Sequence, residues 1–297
     1  MSYYYKKEYF KSIKTATKAC EVGDYKFALT QLINALDNLN KIDAESDELL
    51  RTKAEVNEEI HNIKKMQNKG DSFLIEEIWQ LTKSSFVLGK KCIKSLYLES
   101  EKKSEKTPFS KEKLALLDRG RIFENKFREN EFPAGINISK TLEITSLLNS
   151  YTIHLLNSPG KQIIFEATII ENDVLIMCDV LIKNENGRID VYECKFNKEI
   201  NIAIREDLSL QYTICRKRFG DNLNSFNLVL RADDEGEEWV IHDLTEDLAN
   251  SKSDVDASIQ LFKEIIKNPE PSIDMGDHCD SPYECGFKAY CSKLKLN

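Results

Sequence analysis

An apolar run, Val174 to Met177, leads to Asp179, and a second apolar group, Ile189, Val191 and Tyr192, leads to Glu193. With the turn-forming Asn184 to Gly187 between them, the two segments read as paired strands over residues 173–183 and 188–196. Further strands are expected from Gln162, over 226–231 and over 239–243. Helical spacing marks 84–98, with Ser84 as N-cap, and 110–130, ended by Pro133-Ala134-Gly135. It also marks a short helix over 142–149, and helices over 203–219 and 258–267. The lysine- and glutamate-rich segment 100–109 reads as an exposed loop. Helices, three strands, a helix and two strands make an α/β core sheet.

The first 66 or so residues differ in pattern. Ala16, Ala28, Leu29, Leu32, Ala35 and Leu36 recur at helical spacing around Gly23-Asp24. Leu49, Val56, Ile60 and Ile63 continue the period as a further helix. The polar stretch 67–71 is the natural boundary, giving an all-helical region over 1–70 and an α/β domain over 71–297.

Composition narrows the class. The chain has 297 residues, 41% hydrophobic and 31% charged, enough for a large core. No apolar run approaches the roughly 20 residues of a membrane helix, and the first ten residues lack the apolar segment of a signal peptide. A cytoplasmic location is expected, where eight cysteines are more apt to bind metal than to form disulfides. A net charge of −8 argues against a uniformly nucleic-acid-coated surface. A local basic groove remains open, since 83–128 is rich in lysine and arginine and Arg216-Lys217-Arg218 forms a second cluster.

The chemistry centres on Asp179 and, fourteen residues later, Glu193-Cys194-Lys195. Two carboxylates on neighbouring strands can hold a divalent cation through hard oxygen ligands. Lys195, two residues beyond Glu193, points to the same strand face. Carboxylates inside apolar strands are costly unless compensated, and a bound cation compensates them. Glu124, on the helix before the sheet, and Glu166, on the first strand, are candidates for a third acid. On the helix after Lys195, Asp207 and Gln211 are four residues apart and share a face, with Tyr212 adjacent.

The order Gly120-x3-Glu124, Asp179, Glu193-x-Lys195 and Gln211-Tyr212 resembles the RecB-type PD-(D/E)XK nuclease superfamily over residues 82–291. Glu124 stands where many members have histidine, and Cys215 stands at the position of a tyrosine four residues after the glutamine, leaving Tyr212 as its neighbour. Cys92 before the core and Cys279, Cys285 and Cys291 after it are similar to the iron–sulfur-containing branch, which includes the CRISPR-associated RecB-like exonuclease. Thr82-Lys83-Ser84, the run from His278 to Cys291, Phe132-Pro133-Ala134-Gly135 and Phe165-Glu166-Ala167 also resemble a bacterial RecB-like nuclease family. The N-terminal Gly-Asp hairpin resembles a tetratricopeptide unit.

The resemblance implies a restriction-endonuclease-like core sheet flanked by helices, with a C-terminal cysteine cluster. It implies an Mg²⁺- or Mn²⁺-dependent deoxyribonuclease, an exonuclease on single-stranded DNA or duplex ends, serving repair or phage defence. Asp179, Glu193, the main-chain carbonyl of Cys194 and Glu124 or Glu166 would hold the metal. Lys195 would orient water, Gln211 would face a DNA phosphate or the metal's water shell, and Tyr212 would serve in place of the family's tyrosine. The four cysteines would hold a structural 4Fe–4S cluster; zinc is the alternative for soft sulfur ligands, with His278 as a rival ligand. A catalytically silent nucleic-acid-binding or scaffold protein is the other reading. In either case the N-terminal helices are candidates for contact with a protein partner or a second copy.

Overall fold

The computed structural model of the chain describes residues 2–21, 25–41, 52–53, 56–57, 60, 79–140, 145–251, 254–281 and 283–294. Two compact units divide it, Met1–Ile78 and Trp79–Asn297.

In the first unit, α1 (Ser2–Glu21) packs along α2 (Tyr25–Asn40). The buried face of α2 carries Ala28, Leu29, Leu32, Ile33, Ala35, Leu36 and Leu39, the three-and-four spacing of an amphipathic helix. Ala16 and Ala19 are buried on α1. Val56 and Ile60 are buried as well. The Gly23-Asp24 turn, Leu49, Ile63 and the polar boundary 67–71 lie outside the described residues.

The second unit is built on a seven-stranded mixed sheet flanked by helices. Its strands are β1 (Leu81–Thr82), β2 (Ile136–Asn137), β3 (Gln162–Glu171), β4 (Val174–Lys183), β5 (Ile189–Lys195), β6 (Leu223–Arg231) and β7 (Trp239–Asp243). The order runs β2-β3-β4-β5-β6-β7, with β1 paired to the start of β4. β3 and β4 form a hairpin through Asn172 and Asp173, both at positive φ as a two-residue primed turn requires. β4 and β5 are joined at 184–187, where the Asn184 N–H donates to Arg188 O at 2.8 Å. β5 and β6 are parallel, which requires a crossover; α7 (Ile202–Phe219) supplies it.

The helices before the sheet are α3 (Lys83–Lys91), α4 (Ile93–Glu101) and α5 (Lys111–Glu131). α6 (Thr145–Asn157) packs on β3, and α8 (Thr245–Ala249), α9 (Val255–Lys267) and α10 (Lys288–Leu294) follow β7. Phe123 and Phe127 of α5 pack against Phe165, Val180, Ile182, Cys194 and Val229. Lys195 alternates with Cys194 and so faces away from them, toward α7.

Four expectations are corrected. The single helix over 84–98 is two, because Cys92 is extended (φ −160°, ψ 115°) and ends α3 while starting α4. Its N-cap is Thr82, whose Oγ1 accepts the Ser85 N–H at 3.1 Å, and not Ser84. Of the expected loop 100–109 only Lys102 and 106–109 are irregular, since α4 runs to Glu101 and a 3₁₀ turn covers Lys103–Glu105. There, Lys102 pairs with Glu270 at 2.8 Å and Lys106 with Glu99 at 2.5 Å. The fourth correction is α6, which runs well past residue 149.

Candidate active site

The sheet forks where the acidic residues sit. One edge of β4 pairs with β1 at Val174 and Leu175, then with β5 from Val180 to Lys183. Between them, residues 176–179 have no ladder partner on that edge among the described residues. β5 continues past Tyr192 on β6 alone, through Glu193, Cys194 and Lys195. The Asp179 carboxylate fills the opening, with Oδ2 accepting the Cys194 N–H at 2.6 Å. On the other edge the ladder passes from Phe165–Val180 to Ala167–Cys178 without pairing Glu166. Glu166 is left-handed (φ +56°), a strained conformation for a residue with a side chain. The Asp179 carbonyl instead accepts Arg128 Nη2 at 2.8 Å.

Two layers of charge meet at this fork. On one side Glu193, only 1% exposed, takes Lys195 Nζ on Oε1 at 2.6 Å and Lys83 Nζ at 3.0 Å. Lys195 also reaches Asp207 Oδ2 at 2.6 Å, and Gln211 Nε2 donates to Asp207 Oδ1 at 3.2 Å. On the other side Arg128, buried in α5, pairs with Glu166 at 2.9 Å and with Glu124 one turn before it.

When all are ionised, the five carboxylates (Glu124, Glu166, Asp179, Glu193, Asp207) exceed the three cations facing them (Lys83, Arg128, Lys195) by two negative charges. Burial would raise the Glu193 carboxyl, but the ammonium groups of Lys195 and Lys83 prevail and hold it at about 2. Burial, then the Glu193 charge, lift Asp179 to about 7 against the pull of Lys83 and Lys195. Burial and the Asp179 charge lift Glu124 to about 9 despite Arg128. Asp179 and Glu124 are therefore the groups on which the charge excess falls.

The structure brings Asp179, Glu193, Cys194, Lys195, Glu124, Glu166 and Gln211 together at the fork. Gln211 is fully buried, and its Oε1 has no partner among the described residues. Tyr212 lies on another face of α7, its ring edge-on to Phe226 at 5.9 Å. Cys215, one turn beyond Gln211, meets Cys178 with sulfurs 3.9 Å apart. Two functional residues escaped the sequence reading. Arg128 carried the signal of its i,i+4 spacing from Glu124. Lys83 stood only in a basic stretch and in the Thr82-Lys83-Ser84 segment, neither of which places it at the fork, because the strand that aims it is two residues long.

An open cleft of about 1610 Å³ leads away from the fork. Lys83, Lys195 and Asp207 line its inner end, and Lys103, Lys106, Lys113 and Lys288 line its walls. Phe109 and Tyr283, both partly exposed, also line it.

Cys92, Cys279, Cys285 and Cys291 surround one small cavity of about 10 Å³, with His278 on its wall. Cys92 comes from the α3–α4 junction and Cys291 from α10. The Cys285 N–H donates to Cys279 O at 2.8 Å, and the Phe287 N–H reaches the Cys285 sulfur. Among the described residues no three His, Cys, Asp or Glu side chains converge on one point as ligands of a single ion.

No protein-family model matches the chain, and no curated protein matches it. The chemistry of the site accordingly rests on its own geometry. No helix among the described residues is long and apolar enough to cross a membrane.

Proposed function

We propose that the chain is a divalent-metal-dependent deoxyribonuclease with a RecB-like PD-(D/E)XK core and a structural iron–sulfur cluster. The observation that carries this reading is the buried fork, whose five carboxylates, once ionised, exceed its three cations by the charge of one Mg²⁺ or Mn²⁺. Asp179 and Glu193 would hold that ion with the Cys194 carbonyl, and Glu124 or Glu166 would complete the acidic set. Glu124 is the better placed by charge, since Arg128 neutralises it less completely than its burial demands. When bound, the ion supplies a polarised water and offsets charge on the phosphoryl oxygens.

The chain's own residues do the rest. Lys195, fixed between Glu193 and Asp207, presents an ammonium to the attacking water and to the transition-state phosphate. Gln211 fixes Asp207 from the same helix face and so sets the lysine. Arg128 orients Glu124 and Glu166 and holds the Asp179 carbonyl out of the ladder. The lysines of the cleft suit a phosphate backbone, a local basic lining on a chain of net charge −8.

Cys92, Cys279, Cys285 and Cys291 on one cavity make an all-thiolate donor set, which an iron–sulfur cluster takes. Main-chain N–H donation to a ligand sulfur, as Phe287 makes to Cys285, also suits such a site.

The test is anaerobically purified protein incubated with end-labelled single- and double-stranded DNA, in Mn²⁺ or in EDTA. Cleavage is expected in Mn²⁺ only, and Lys195→Ala is expected to lose roughly 10²- to 10³-fold in rate. EDTA-resistant cleavage, or full activity in Lys195→Ala, refutes the site.

A further inference from the structure

Lys83 is the group at the fork that this mechanism leaves without a task. Its side chain leaves the first turn of α3 and enters the gap that β1 and β5 leave along β4. There Nζ has three oxygen neighbours: the main-chain carbonyl of Met177 at 2.7 Å, Glu193 Oε1 at 3.0 Å and Glu193 Oε2 at 3.2 Å. The carbonyl is available because this edge of β4 has no strand beside it among the described residues. A main-chain carbonyl and both oxygens of one carboxylate, aimed at one point, make the hard-oxygen set that a divalent cation takes. In this fold an ammonium on a tether occupies it.

The charge count agrees. With Lys83 in place and every carboxylate ionised, the fork lacks two positive charges, which one divalent ion supplies. Two such ions would overshoot by two charges in a site sealed on its β-sheet side. Without Lys83 the deficit rises to three, so that one ion leaves the fork a charge short and a second overshoots by one charge instead of two.

We infer that Lys83 is a built-in substitute for a second divalent ion, so that the fork takes a single Mg²⁺ or Mn²⁺. Neutralising residue 83 opens a second cation site on Met177 O and Glu193. The inference rests on the metal-dependent reading of the fork.

The test counts ions without measuring cleavage. Full-length protein is titrated with Mn²⁺, and free Mn²⁺ is followed by electron paramagnetic resonance. Asp179→Asn serves as the blank that subtracts ions held elsewhere. One ion per chain is expected for the native protein and for Lys83→Arg, and two for Lys83→Met. Lys83→Gln, which keeps a donor for Glu193, is a second neutral variant should the methionine chain not fold. Two ions on the native chain overturn the inference whatever the variants do. One ion on both native and neutral variants also overturns it, but leaves the metal-dependent reading standing. No ion on the native chain overturns that reading, and this inference with it.

Discussion

Replacing the central carboxylate should make the metal-free protein more stable. In Asp179→Asn the side chain keeps its shape and its Oδ still accepts the Cys194 N–H, but the charge is gone. Asp179 titrates at about 7 in the fold against 3.8 for the free side chain. A carboxyl raised by folding binds more protons in the native state, so its stabilising contribution is complete below the unfolded value and is lost as pH rises through the folded one. The native chain is therefore progressively penalised from about pH 4, and the penalty levels off above about pH 7. A rise of that size corresponds to about 4 kcal/mol, and relaxation of the buried fork brings the expected difference to between about 2 and 4 kcal/mol. For a unit of this size that is on the order of 4 to 16 °C in melting temperature.

The assay is thermal unfolding of both proteins from pH 4 to pH 8 in EDTA. Near-equality is expected at pH 4, with the asparagine variant ahead by the full amount at pH 8. Mn²⁺ at about 1,000 times its Kd should reverse the order, because it adds about 4.1 kcal/mol to the native chain only. A variant that is less stable in EDTA at pH 8, or a gap independent of pH, refutes the account of the fork as an under-compensated acidic cluster.

Three further outcomes are expected. Arg128→Met removes the partner of Glu124 and Glu166 and should cost about 3 kcal/mol in urea unfolding at pH 7. That is the low end for breaking a buried pair, because Glu124 at about 9 already keeps its proton there; a loss under about 1 kcal/mol would contradict the network. Cys285→Ala should abolish the brown colour of anaerobically purified protein and lower its melting temperature, and a colourless chain with a native melting curve would remove the cluster from the account. Reversing Lys106 and Lys113 to glutamate should weaken DNA binding and flatten its dependence on salt by about two phosphate contacts, while an unchanged salt slope would place the DNA elsewhere.

Much of this site could be read along the chain because strand chemistry is local. Asp179, Glu193 and Lys195 lie on two consecutive strands joined by a short turn, so period-two alternation alone set their neighbours. Gln211 followed from helical spacing to Asp207. What escaped depends on pairings distant in sequence. β1 and β2 have two residues each, too few to show any period, and β1 aims Lys83 into the fork across more than ninety residues. The break at Cys92 falls at a residue with no turn chemistry of its own, and nothing in 84–98 marks it. The left-handed backbone at Glu166 belongs to the fork rather than to its strand sequence.

The cavity between Cys92 and Cys291 also has a consequence for the order of synthesis. Its walls come from residues about 200 apart. At ribosomal speeds of roughly 5–20 residues per second, Cys92 waits on the order of 10–40 s for its last companion. Over the second half of that interval the sheet can already pair β3, β4 and β5 while the α3–α4 junction lacks its lid. The nascent chain thus assembles its acidic centre before α10 leaves the tunnel, so that any inorganic group held by this cavity arrives after the sheet has paired.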